Sequence, residues 1–258
     1  MDIRKYNRDA WNSEVENKGQ WTVPVSSDVI ARARQGDWQV VLTPQKPVPR
    51  DWFPPLEGLD VLGLASAGGQ QCPIFAAAGA NVTVFDNSPA QLGQDRMVAE
   101  RDNLTLKVVE GDMADLSVFG DGSFDLIFHA ASNCFVPDIL PVWREAARVL
   151  RPGGLLLAGF VNPLAFIFDA KKLERGELVV RHKIPYSDVT DLRDDERKEL
   201  MERNEPIGFG HTLDDQIAGQ IAAGLLIDGF FEDTWPVEED PLSKYIAAFV
   251  ATRAVKPA

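Results

Sequence analysis

Residues 61–69 read Val61-Leu62-Gly63-Leu64-Ala65-Ser66-Ala67-Gly68-Gly69. A short apolar run that gives way to five small residues is a buried strand entering a tight turn. The next residues agree. Gln71 to Ala78 has helical character and ends at Gly79, and Asn81 to Phe85 is a β-branched strand ending on Asp86. Small residues at such a turn let the backbone approach a ligand at the start of the following helix. Asp86 follows Ala65 by 86 − 65 = 21 positions. An acid about 20 residues after the turn accepts hydrogen bonds from ribose hydroxyls in nucleoside-binding α/β proteins. The pattern therefore points to a bound nucleoside, although a small-residue turn followed by an acid also occurs in α/β proteins with no such ligand.

Working outward, strand and helix alternate. Pro89 to Arg101 reads as a helix, Leu104 to Val109 as a strand ending in Glu110-Gly111-Asp112, and Phe124 to Phe128 as another strand. Ile139 to Leu150 reads as a helix closed by Pro152-Gly153-Gly154, and Leu155 to Val161 as a fifth strand. Apolar strands alternating with helices imply a mostly parallel sheet covered on both faces, with ligands at the carboxyl ends of the strands. Residues 162–210 break the rhythm and include a charged stretch, Asp188 to Glu205, expected to be a solvated helix. Leu213, Ile217, Ile221 and Leu225 then form an apolar stripe at helical spacing, with Thr212 as cap and Gly224 as stop. Leu225 to Trp235 and Tyr245 to Thr252 read as closing strands.

Residues 1–55 differ in character. They hold Trp11, Trp21, Trp38 and Trp52, four of the six tryptophans, and are interrupted by Pro24, Pro44, Pro47, Pro49, Pro54 and Pro55. A helix is expected near Ser26 to Gln35, capped by Ser26 or Ser27. The expected organisation is an ordered arm or cap over residues 1–55, then one domain over 56–258 with an insertion at about 162–210.

The 258 residues carry a net charge of −13. That field repels nucleic acid unless a local basic patch overcomes it, and Lys171-Lys172 and Arg181 to Lys183 are short. Cys72 and Cys134 are far apart and fit neither a zinc pattern nor a disulfide framework, so no metal is expected. Met1 to Gln20 lacks the apolar core of a secretory signal. Leu155 to Phe168 is too short to span a bilayer and is broken by Asn162-Pro163. A cytoplasmic protein without a membrane partner is the expectation.

Five stretches in order make the chain resemble the class I S-adenosylmethionine-dependent methyltransferases, in their type 11 branch. The family's glycine motif falls on Gly63 to Gly69, and its ribose acid on Asp86 in Val-Phe-Asp-Asn-Ser-Pro. Its adenine-contacting pair falls on Asp112-Met113, its fourth strand on Phe124 to Ile127, and its turn into strand five on Arg148-Val149-Leu150-Arg151-Pro152-Gly153-Gly154. Trp21 to Ser26, Gly68 to Gln71 and Phe209 to Leu213 are similar to stretches of a prokaryotic group within it. The resemblance implies a Rossmann-like fold with a seven-stranded, mostly parallel sheet, helices on both faces and a reversed final hairpin. It implies S-adenosyl-L-methionine as cofactor, held by Ala65, Ser66, Ala67, Gly68, Gly69, Asp86, Asn87, Asp112, Met113 and His129. The chain departs from the pattern at Gly63, where the family carries an acid, and at Ala65 and Ala67, where it carries glycines. An NAD-dependent oxidoreductase would explain Asp86, but not Asp112-Met113 or the Pro-Gly-Gly turn.

The sulfonium is already an activated donor, so positioning dominates and a base is needed only for an acceptor that starts protonated. His129 at the end of strand four and His211 are the candidates for that base or for packing; His182 lies in a charged run. Ser132 and Asn133 could line the pocket. No Asn-Pro-Pro-aromatic motif follows strand four, as it does in relatives that methylate nucleobase amines or glutamine amides. Cys72, at a helix start, could be a lowered-pKa thiol or a packing residue. The expected function is methyl transfer to an unidentified small-molecule acceptor. The alternatives are an RNA methyltransferase and a non-catalytic S-adenosylmethionine-binding protein.

Overall fold

The computed structural model describes residues 1–258. Seven strands form one sheet: β1 (Asp60–Leu64), β2 (Asn81–Asp86), β3 (Leu106–Glu110), β4 (Phe124–His129), β5 (Leu150–Val161), β8 (Leu226–Asp233) and β9 (Phe249–Val255). Their order is β3-β2-β1-β4-β5-β9-β8. The pairs among β1 to β5 are parallel, and β9 runs antiparallel to both β5 and β8. This is the expected seven-stranded Rossmann-like sheet with its reversed final hairpin. The chain order reverses between β1 and β4, which opens a crevice at the carboxyl ends of those strands. Two short strands, β6 (Tyr186–Ser187) and β7 (Phe209–Gly210), pair apart from it.

The pleat sends alternate side chains to two cores. Val61, Leu126, Phe128, Leu155 and Leu157 face one core, with α2 (Ser27–Ala33), α3 (Gln71–Ala77) and α4 (Pro89–Asp102). Leu62, Leu64, Ile127, Leu156 and Ala158 face the other, with α5 (Leu140–Val149) and the fully buried Trp143. The arm belongs to the first core: Val40, Leu42, Val48 and Leu56 are buried in it, and Trp38, Trp52 and Phe53 pack against it.

The Arg148 to Gly154 motif is a clamp at the amino ends of the strands, opposite the crevice. Arg151 bonds Asp60 at 2.8 Å and Asp125 at 2.6 Å. Arg148 bonds Glu145, Asp121 and the carbonyls of Leu116 and Phe119. Strand five begins earlier than its apolar run suggests. Phe124 pairs with Leu150 and Leu126 with Leu155, so Arg151 to Gly154 bulge out of an already paired strand.

One further helix is added and two expectations are corrected. The N-terminal segment contains α1 (Ile3–Glu16), capped by Asp2 and low in average hydrophobicity. Asp188 to Glu205 is two helices, α7 (Asp188–Asp191) and α8 (Asp194–Glu202), separated at Leu192-Arg193; Glu196 is buried and paired with Arg181 at 2.6 Å. A short α6 (Ala170–Leu173) precedes them. Of the apolar stripe at 213–225, only Leu225 is fully buried in the core. A π-helical turn at Asp214–Ala218 precedes α9 (Gly219–Ala222) and rotates the phase. Leu213 and Ile221 are exposed, while Gln216, Gly219 and Gln220 are buried against Trp143 and β9. Trp143 fixes that phase by donating its indole N–H to the Asp215 carbonyl at 2.9 Å.

Candidate active site

The turn after β1 is held by carboxylates from behind. The Ala67 N–H points at Asp86 Oδ2 at 3.4 Å, and the Gly68 and Gly69 N–H groups donate to Asp95 Oδ2 at 2.9 and 3.0 Å. Asp95 lies on α4 and has no exposed surface. Sequence reading missed it, although an acid on an otherwise packed helix face was a signal. Its second oxygen and the Gln91 Oε1, one turn away on α4, are buried without partners. Burial pushes Asp95 up to about 7 against the two backbone donors, with the Asp86 charge adding to the rise.

Gly63, which replaces the family's acid, faces Cys72: a Cβ there would collide with the Cys72 Sγ. The thiol fills that space, donates to the Ser66 carbonyl at 3.7 Å, and is raised well above the ordinary thiol range by burial. Cys72 is thus a packing residue, not an activated thiol. Gly68 and Gly69 adopt φ of +103° and +71°. A Cβ on Gly69 would meet Pro24 Cβ at 2.9 Å and the Gln94 carbonyl at 3.0 Å, because the arm lies against the turn there. The Val25 N–H donates to the Gly69 carbonyl at 2.9 Å, and Gln70 Nε2 donates to the Gln20 and Val23 carbonyls.

Ala65 stands where the family has glycine and has a φ of +46°. An L-residue in the left-handed region costs about 1–2 kcal/mol, offset in part by the entropy glycine would lose on folding. Ala65→Gly is therefore expected to stabilise the chain by about 0.5–1 kcal/mol in chemical denaturation. A destabilised variant would mean that Ala65 packing outweighs the strain.

In front of the turn is a cavity of about 690 Å³. Of the proposed cofactor residues, Ala65, Ser66, Ala67, Asp86, Asn87, Asp112 and Met113 line it. Gly68 and Gly69 shape the turn without lining it. Asp86 accepts the Ser88 N–H at 2.9 Å as well as the long Ala67 contact, and burial pushes its carboxyl up to about 6. With so few donors it retains acceptor capacity for hydroxyls. Asp112 accepts the Ala114 N–H at 2.9 Å and faces Arg4 at 3.8 Å.

His129 and His211 are not brought into the cavity. The His129 Nδ1–H donates to the Leu64 carbonyl at 2.8 Å, and its Nε2 meets the Asn133 amide. That amide continues to Gln216 at 2.8 Å. His211 Nε2–H donates to the Asn133 carbonyl at 3.0 Å. Burial lowers the pKa of both rings. They brace the loop after β4, as does Asn133, whereas Ser132 reaches the cavity. His182 packs edge-on against Tyr186 at 4.9 Å.

The arm forms the far wall. Helix α1 crosses the carboxyl edge of the sheet and is tied on both sides. Asn12 accepts from the Ser88 hydroxyl at 2.8 Å, and Asn87 Nδ2 donates to the Arg4 carbonyl at 2.8 Å. On the other side, Asn7 Nδ2 donates to the Phe135 and Ile207 carbonyls at 3.0 and 3.1 Å. The Ile207 N–H returns to Asn7 Oδ1 at 2.8 Å. Trp11 meets Phe135 edge-on with centroids 5.1 Å apart, and Trp21 lies 5.7 Å from Trp235.

Known proteins agree with this geometry. Residues 62–158 match the family model described as a methyltransferase domain. The chain is 53% identical over 251 residues to the uncharacterized methyltransferase YbaJ of Bacillus subtilis (strain 168), covering 97% of each chain. An S-adenosylmethionine dependent methyltransferase from Mesorhizobium loti shares the fold at a TM-score of 0.61 and 18% identity, over 80% of this chain and 94% of that one. No helix is long and apolar enough to cross a membrane. The full-length likeness to a methyltransferase, on a sheet whose crevice is lined by the residues the motifs single out, places the chain in the class I S-adenosylmethionine-dependent methyltransferase family.

Proposed function

We propose that this chain transfers the methyl group of S-adenosylmethionine to a small molecule enclosed between the sheet edge and the N-terminal arm. The observation that carries the reading is Asp86: a half-buried, sparsely hydrogen-bonded carboxylate at the end of β2, open to a cavity of about 690 Å³. Small-molecule sites typically measure about 300–1,000 Å³.

The residues present fit the cofactor. Asp86 has room for ribose hydroxyls, Ala65 to Ala67 keep the turn low, and Asp112-Met113 offers a carboxylate and an apolar side chain to a base. When bound, the cofactor supplies a methyl group already activated as a sulfonium. The chain's own part is to bind, orient and exclude water. With His129 and His211 turned away from the cavity, no imidazole there is placed to move a proton.

The enclosure supports a small acceptor over a macromolecule, because α1 is bonded to both sides of the crevice and a nucleic-acid strand would have to displace it. The net charge of −13 acts in the same direction. The boundary between a residue 1–55 cap and the domain proper is part of the same proposal. Removing residues 1–25 is expected to leave a folded domain with weakened cofactor binding and no tryptophan fluorescence response to the cofactor. Unchanged affinity would make the arm purely structural. Incubation with labelled cofactor and total RNA at low salt should leave the RNA unlabelled, and stoichiometric labelling of one RNA species would replace the proposal.

A further inference from the structure

The cavity is longer than its cofactor-facing end, and its remainder has an unusual lining. Besides Asp86, Asp112 and Ser132, the lining holds Trp11, Trp21, Phe135, Trp235 and Phe249. Trp235 links the group, with Trp21 at 5.7 Å on one side and Phe249 at 5.8 Å on the other. The polar groups that also reach this end are already engaged within the protein. Asn7 spends its amide on Phe135 and Ile207. Thr43 donates to Asp233 at 2.7 Å. Cys134 is held neutral, its thiol pushed up to about 12 by burial.

An acceptor seated there finds chiefly ring faces and edges, and the two carboxylates that line the cavity besides Asp86 and Asp112, Asp2 and Asp138, accept the Lys5 and Leu140 N–H groups. A polar or ionic molecule would leave water for a site that cannot replace its hydrogen bonds, an unfavourable exchange. A flat apolar molecule gains both from burial and from ring stacking. Aromatic surroundings also suit methylated ammonium groups. Such a cation is better served by a buried carboxylate, and here Asp138, which lines the cavity, is exposed and accepts the Leu140 N–H at 3.0 Å. We infer that the acceptor is an apolar, ring-bearing small molecule stacked against Trp235 and Phe135. The inference rests on the methyltransferase reading of the site.

The test uses the full chain saturated with S-adenosylmethionine, whose binding is measured first by calorimetry. Failure at that step contradicts the proposed function, not the acceptor class. Tryptophan fluorescence is then titrated with 2-naphthol and, separately, with choline. Saturable quenching by 2-naphthol is expected, weakened at least tenfold in Trp235→Ala or Phe135→Ala, with choline at least tenfold weaker than 2-naphthol in the wild type. Trp235→Phe, which keeps a ring in place, should retain most of the affinity and guards against a merely misfolded alanine variant. Tighter binding of choline overturns the inference. So does non-saturable quenching by 2-naphthol, or quenching unchanged in both alanine variants.

Discussion

Asp86→Ala is expected to weaken S-adenosylmethionine binding roughly 10- to 100-fold, the loss of a charge-assisted contact of about 1.5–3 kcal/mol. The wild-type carboxylate is half-buried with two backbone donors, one of them at 3.4 Å, and desolvation pushes it up to about 6. Its ionised form is therefore poorly stabilised in the empty chain and gains most from hydroxyl donors. The same property separates binding from folding. Removing a penalised charge should cost the cofactor-free chain little stability near pH 8, so thermal melting without cofactor should change far less than affinity. Calorimetry on both proteins checks it, and equal affinities would remove Asp86 from the site.

Asp95→Asn is expected to raise stability at pH 8 by on the order of 3 kcal/mol, several degrees in melting temperature for a chain of this size. The Asp95 carboxyl is pushed up to about 7 when folded, above its ordinary value of 3.8. The folded state thus holds a proton that the unfolded state has released. The stability this contributes is fully present below about pH 4, declines as pH rises, and is gone once pH passes about 7. Asparagine cannot ionise, keeps an oxygen for the Gly68 and Gly69 N–H groups, and adds a donor beside the unpartnered Gln91 Oε1. Melting temperatures from pH 4 to 8 should therefore fall less in the variant than in the wild type. An Asp95→Asn protein that melts lower at pH 8, with an undiminished pH slope, would show that Asp95 is needed as an anion.

The parts of this fold legible in the sequence are those with local causes. Val61 to Leu64 is apolar because both faces of β1 are buried, and Asn81 to Asp86 is β-branched for the same reason. The turn between them announces itself by residue size. What stayed hidden depends on distant partners. Helix α1 is polar in average composition and packs partly through Asn7 and Asn12, whose hydrogen bonds to Ile207 and Ser88 depend on distant partners. The stripe at Leu213 to Leu225 misled because a π turn and the Trp143 indole, not the spacing, set the buried face. His129 ends β4 as expected, but its ring turns toward the Leu64 carbonyl, and no property of its position in the chain reveals that. The role of Asp95, as opposed to its place on a packed helix face, stayed hidden because the N–H groups it serves are on a turn 26 residues earlier.

A crystal structure of the full chain grown with S-adenosylmethionine tests the central claim most directly. The account predicts one cofactor in the cavity in front of the Ala65–Gly69 turn, with its ribose hydroxyls on Asp86 and α1 closed over it. A cavity without cofactor at saturating concentration, or a cofactor bound away from Asp86, would contradict it.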